Sequence, residues 1–240
     1  MDRTDKRSVS SWGFLAAVLV FRYLCHGIAL ALILPHEMKP GFPLPDILLQ
    51  HVPYVEAMAR WNYVLWLLCY VPPALWICWR DRPLFIRLVL TDAALALLRG
   101  LMIPLTGIGP VLGPDLNTVH PFAVWPALIA VLNPLKAIGA NSAGFYLTKD
   151  LFFSGHIATT FLLYLFARRF GRVSRVFLAL NLFTLVVVLL AHLHYTIDLI
   201  AGYTITYAVY RVSEQLAPML AAGWRRDWEM EDQPRPREDW

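Results

Sequence analysis

The chain has 240 residues, 58% of them hydrophobic and only 16% charged, with a mean hydropathy of +0.52. Soluble domains run at about 45–50% apolar and about 25% charged, so this composition excludes an ordinary soluble enzyme and a disordered chain and implies a lipid solvent. The net charge of +4 and pI near 9.0 would suit a nucleic-acid ligand only if the basic residues shared a soluble face, and their distribution below points elsewhere.

A hydrocarbon core about 30 Å thick needs roughly 20 apolar residues of helix. In chain order, six runs meet that need between charged breaks: residues 11–34, 61–79, 84–105, 154–169, 176–192 and 198–217. The first follows the charged segment 1–7 and carries no small-residue cleavage site after its apolar core, so a retained span is expected. A seventh stretch, 121–138, holds Pro126, Asn133, Pro134 and Lys136 and reads as an interfacial or re-entrant segment. The expected fold is therefore an all-α polytopic membrane protein with six transmembrane helices and an interfacial or re-entrant helix in the long outer loop. Its parts are a cytoplasmic N-terminus (1–10), a catalytic membrane region (11–217) and a polar cytoplasmic tail (218–240). Cys25, Cys69 and Cys78 lie inside apolar runs without metal-ligand spacing and define no disulfide framework.

Lys and Arg accumulate in cytoplasmic loops. With the N-terminus inside, fifteen of the 21 fall on inner segments and four (Lys39, Arg60, Lys136, Lys149) on outer ones, with Arg22 and Arg99 inside spans. Both termini are thus expected in the cytoplasm, and the charge marks membrane sidedness rather than a nucleic-acid partner.

Polar residues at membrane depth are costly and tend to face a cavity or a partner. Most gather at the outer side: Lys149 and Asp150, then Ser154-Gly155-His156 opening the fourth run, and His192-Leu193-His194-Tyr195-Thr196-Ile197-Asp198 joining the fifth to the sixth. Residue 175, midway between His156 and His194, lies in the basic inner turn. Each arm is about 19 residues, roughly 28 Å at 1.5 Å per residue, so an antiparallel hairpin returns His194 to the level of His156.

Two imidazoles beside a carboxylate suit phosphoryl transfer. Asp198, four residues after His194, can fix its tautomer, one histidine can attack phosphorus, and the other can protonate the departing alkoxide. Positive charge for the phosphate would come from Arg99, Lys149 and the helix N-termini at Ser154 and Thr196. His26, His36, His51, His120 and His192 read as packing or interfacial residues, and Arg22 as an ion-pair partner of Asp92 at similar depth. Neither a metal nor a cofactor is expected.

Ser154-Gly155-His156 and His194-Tyr195-Thr196-Ile197-Asp198 resemble the two catalytic motifs of the sphingomyelin synthase family, part of the type 2 phosphatidic acid phosphatase superfamily of six-span membrane enzymes. Pro43-Leu44-Pro45-Asp46, with His36-Glu37 upstream, is similar to the family's first motif, and Arg99-Gly100-Leu101-Met102 with the Pro- and Gly-rich stretch 104–114 to its second. The resemblance implies transfer of phosphocholine or phosphoethanolamine from a glycerophospholipid to ceramide, releasing diacylglycerol. His194 would then be the nucleophile or base activated by Asp198, and His156 the acid for diacylglycerol and the base for ceramide. Arg99, Lys149, Asp150, Ser154, Tyr195 and Asp46 are the candidate substrate contacts.

Phosphatases of the superfamily place an Arg six residues before the second catalytic His, where this chain has Val188, and their Lys-rich first motif is missing. That favours diester chemistry, with a phospholipase C-like or lipid phosphate hydrolase as the alternative. Arg outnumbers Lys 17 to 4, which points to a GC-rich bacterial genome and makes another lipid alcohol a rival to ceramide. The expected setting is the inner cell membrane with the site on the extracytoplasmic side. Expected partners are membrane lipids (glycerophospholipid donor, ceramide or diacylglycerol acceptor), a homo-oligomer being left open.

Overall fold

The computed structural model describes residues 3–139 and 142–231, which are helical or irregular apart from an isolated bridge between Phe42 and Ile108. Helix α1 spans Arg3–Glu37, α2 Glu56–Arg80 and α3 Arg82–Thr106. Four short helices follow, α4 Leu116–Val119, α5 Val124–Leu132, α6 Pro134–Gly139 and α7 Ser142–Tyr146. Then come α8 Gly155–Ala167, α9 Ser174–Leu190 and α10 Thr196–Glu231. Of the expected tail, the backbone to Glu231 continues α10, and residues 232–240 lie outside the described part, as do residues 1 and 2.

Local chemistry sets the ends. Asp81 caps α3 by accepting the Leu84 N–H at 2.9 Å, with Pro83 in the first turn, where a missing N–H costs nothing. Gly107, at φ 60°, ends that helix in the left-handed region a β-carbon disfavours.

Among the described residues, four stretches are long and apolar enough to cross a membrane: Trp12–Glu37, Glu56–Arg80, Arg82–Thr106 and Gly155–Leu190. The protein is a membrane protein. The fourth stretch is not a single rod, because Phe170 and Gly171 (φ 60°, ψ −123°) leave helical geometry and α9 folds back to pack on α8. The stretch 121–138 is broken at Asn133. At 1.5 Å per residue the nine residues of α5 reach only about 14 Å, half a hydrocarbon core, and α5 buries Ala127 and Leu128 against Leu30 and Leu34 of α1.

The core is built around α3. Leu84, Phe85, Leu88, Val89 and Leu95 pack with Leu162, Leu163, Leu165 and Phe166 of α8 and with Ile77 of α2. Large apolar side chains of α1, such as Val20, Phe21, Leu24 and Ile28, face outward, as lipid contact demands. Without a hydrophobic drive between helices in lipid, close approach relies on small residues. Gly100 of α3 lies on Ala29 of α1, where an added β-carbon would stand 2.6 Å from the Ala29 Cα. Gly100→Ala is expected to destabilise by about 1–3 kcal/mol, read as a lower thermal midpoint in detergent. An unchanged midpoint would mean that α1 and α3 separate easily.

Candidate active site

Helix α8 begins where Ser154 accepts the Ile157 N–H, and the Ser154 N–H donates to the Asp198 carbonyl at 3.1 Å. This backbone bond ties the start of α8 to the start of α10. Between α9 and α10 the chain turns at His192, at φ 48°, whose ring contacts the Val52 carbonyl at 3.0 Å through Nε2. Asp198, in the first turn of α10, reaches back to accept the Tyr195 N–H at 2.9 Å, the reciprocal half of a capping box.

These two helix starts bring the His156 and His194 rings to a centroid separation of 6.0 Å, inclined at 67°. Asp198 Oδ2 stands 3.6 Å from His194 Nδ1, and both side chains are almost wholly buried. With Nδ1–H toward the carboxylate, the assigned tautomer leaves Nε2 as the nucleophilic nitrogen. His156 Nε2 is buried without a hydrogen-bond partner. Its ring meets the edge of Trp66, whose Nε1 donates to Thr159 Oγ1 at 2.9 Å.

Arg99 lies against the same helix start. Its Nε donates to the Phe153 carbonyl at 2.7 Å, its Nη2 to Asp150 Oδ1 at 2.8 Å, and a β-carbon on Gly155 would come within 2.7 Å of its Nη1. Gly155 is therefore the residue that lets a guanidinium lie flat on the N-terminus of α8, one residue from His156. The guanidinium, paired with Asp150, and the orphan amides of that helix end thus lie together beside His156.

The other candidate contacts have structural duties. Lys149 has a fully buried side chain whose Nζ donates to both Asp115 oxygens at 2.8 Å, to the Lys39 carbonyl at 2.6 Å and to Thr118 Oγ1 at 3.2 Å. Its charge is neutralised in the loops between α3 and α8 rather than presented to the histidines. Asp46 accepts from the Thr196 N–H, from Thr196 Oγ1 at 2.9 Å and from the Leu49 N–H at 3.0 Å, so it caps α10. The buried Tyr195 hydroxyl donates to the Pro110 carbonyl at 3.0 Å and accepts the Leu44 N–H at 3.2 Å, joining two loops behind the turn that carries His194. Arg22 is paired with Asp92.

Sequence reasoning missed how the long loop between α3 and α8 is held. Glu37, wholly buried, accepts from Thr148 N–H and Oγ1, from the Lys149 N–H at 2.8 Å and from Asn117 Nδ2. The available signal was an acidic residue, Glu37, just past the first apolar run. A cavity of about 180 Å³ opens beside His156, and Arg22, His26, Trp66, Asp92, Arg99 and Asp150 contribute to its walls.

A family profile described as PAP2 superfamily C-terminal matches residues 149–215, the segment that holds Ser154, His156, His194 and Asp198. Sphingomyelin synthase-related protein 1 of Homo sapiens is 28% identical over 199 residues, 78% of this chain and 48% of that protein. Sphingomyelin synthase-related 2 of Caenorhabditis elegans is 27% identical over 232 residues, 87% of this chain and 67% of that protein. The chain is similar to sphingomyelin synthase-related proteins, and it shares with the PAP2 superfamily the segment that holds both histidines. It spans about half the length of the human relative and 41% of the mouse one.

Asp46 and Asp115, the two aspartates that pin the loops, also set an acid limit. Burial pushes the Asp46 carboxyl up, but the bonds from Thr196 and Leu49 outweigh it and hold the group below its ordinary value of 3.8. Burial likewise pushes Asp115 up, and Lys149 and Thr118 bring it below 3.8. A carboxylate depressed in the folded state stabilises above its unfolded pKa, and that contribution fades as pH falls through the folded pKa. The stability gap between wild type and Asp46→Asn should be constant above about pH 4 and close below it. Thermal melts across that range check this, and a gap that persists in acid would contradict it.

Proposed function

We propose that this chain is a membrane lipid phosphotransferase that moves a phosphocholine or phosphoethanolamine head group from a glycerophospholipid to ceramide or a similar lipid alcohol. What carries the proposal is the 6.0 Å approach of His156 and His194, with Asp198 behind His194 and Arg99 beside His156. A phosphodiester centred between the rings lies within reach of both.

In the first half-reaction His194 Nε2 attacks phosphorus and a P–N bond forms. The P–O bond to diacylglycerol breaks, and protonated His156 gives its proton to the departing oxygen. Asp198 stabilises the positive charge that develops on the His194 ring. In the second half-reaction neutral His156 takes the proton of the incoming hydroxyl. The resulting oxygen attacks phosphorus, the P–N bond breaks, and both histidines return to their starting states. Arg99 and the α8 amides offset charge on the non-bridging oxygens. Val188 in place of a second phosphate-binding Arg fits a diester, which carries one charge fewer than a monoester.

The proposed topology has six spans, α1, α2, α3, α8, α9 and α10, with α5 as a re-entrant or interfacial helix. The fifteen-to-four bias of Lys and Arg supports cytoplasmic termini and a site facing the extracytoplasmic leaflet of the inner membrane.

Purified protein in liposomes with donor labelled in the head group tests the proposal. Label should pass into a lipid product only when ceramide or another lipid alcohol is present. Label released chiefly into water whatever the acceptor would make the protein a phospholipase C-like hydrolase, and no donor cleavage would refute both.

A further inference from the structure

The cavity beside His156 has a direction. On α3, Arg99 and Asp92 are seven residues apart, about 10 Å along the axis, and both line the cavity. It therefore runs from the His156 end toward the middle of the membrane-crossing stretches Trp12–Glu37 and Arg82–Thr106. Its deep end is walled by the Arg22–Asp92 pair, to which Tyr70 adds a hydroxyl at 3.3 Å. Arg22 keeps 22% of its side chain exposed, and only its Nε is given to Asp92 out of the five donors of a guanidinium.

An ion pair this deep in a membrane is rare enough to call for a reason. In a bilayer lipid the phosphorus sits at the interface, and the glycerol or sphingoid backbone follows it inward. In an in-line exchange at phosphorus the departing and incoming alcohols occupy the face opposite the nucleophile, which is the face of the acid–base group. His156 lines this cavity and His194 does not. Resting on the phosphotransfer reading above, we propose that the cavity is the alcohol subsite, used in turn by the departing diacylglycerol and the acceptor, and that Arg22 recognises the backbone carbonyl, ester or amide, next to the reacting oxygen. The pair is neutral as a whole, so it matches a dipolar carbonyl rather than an ion, and Asp92 holds the guanidinium in place. Arg22 and Asp92 are specificity-determining residues, separate from the histidines that exchange protons and phosphorus.

The test compares a short-chain diacylglycerol with the dialkylglycerol of the same chain length, uncharged analogues that differ in the carbonyls. Binding to the full chain in detergent micelles, which needs no turnover, should be about 10-fold weaker for the ether lipid, and kcat/KM as acceptor should fall in parallel. Equal binding of the two lipids would overturn the proposal on wild-type protein alone. The double variant Arg22→Met/Asp92→Leu removes both charges together and leaves neither stranded. It should abolish the ester-over-ether preference while head-group preference stays as in wild type. A preference retained in the variant, or a change in head-group choice instead, would equally overturn it. Discrimination in binding without donor cleavage in any assay would refute the phosphotransfer reading and leave the alcohol site standing.

Discussion

His194→Ala is expected to reduce the proposed head-group transfer by about 10³-fold or more, because it removes the group proposed to bond to phosphorus. The folded protein should survive, since His194 Nδ1 has no hydrogen bond and its Asp198 contact is 3.6 Å long. His156→Ala should be comparably slow on phospholipid but should recover with a donor whose leaving group is a nitrophenolate, which departs without a proton. His194→Ala should show no such recovery. Rates of both variants on the two donors make the check. Recovery in both, or in neither, would mean that the histidines do not divide the work as nucleophile and acid.

Lys149→Met should be the most damaging single change to stability among the loop residues. It leaves Asp115 facing a methyl group and cuts the bonds to Lys39 and Thr118, which hold two separate segments around one buried ammonium. Breaking a buried pair by removing one partner costs about 3–5 kcal/mol, equivalent to a fall of about 10 °C or more in the thermal midpoint for a chain of this size. Adding Asp115→Leu should return part of the loss. A midpoint within a degree or two of wild type would show that the clamp contributes little. Transfer activity below the midpoint should fall less than stability, because Lys149 meets the loops and not the histidines.

Spacing made much of the site's geometry legible. A hairpin of two equal arms about the inner turn requires His156 and His194 to be level, and the rings stand 6.0 Å apart. Similar depth in the first and third spans was enough to anticipate the Arg22–Asp92 pair. Apolar runs located the helices that carry the site, with ends shifted by caps such as Asp81 and by the α10 backbone continuing to Glu231.

Lys149, Asp46 and Tyr195 were harder to read. Each was a candidate substrate contact because it is polar and close to the motifs, yet each is engaged by a partner far away in sequence. Asp115 lies 34 residues from Lys149, and Asp46 lies 150 from Thr196. Nothing periodic connects such positions, since loops carry neither the 3.6-residue nor the 2-residue repeat that reveals a helix face or a strand face. Glu37 illustrates the same limit. Its place at the end of α1 follows from the span, but its use in holding Asn117, Thr148 and Lys149 depends on how the long loop folds back. Gly155 could be read only in three dimensions, because its value is the space it leaves for Arg99.

The most direct test of the two-histidine mechanism is to trap the covalent species. Protein mixed with phospholipid labelled with ³²P in the head group, without acceptor, is quenched within the first turnover in alkali and digested to peptides. The label should lie on His194 as an acid-labile, alkali-stable phosphoramidate that disappears when ceramide is added before the quench. Label on another residue, or substrate turnover with no labelled protein at any time, would contradict transfer through His194.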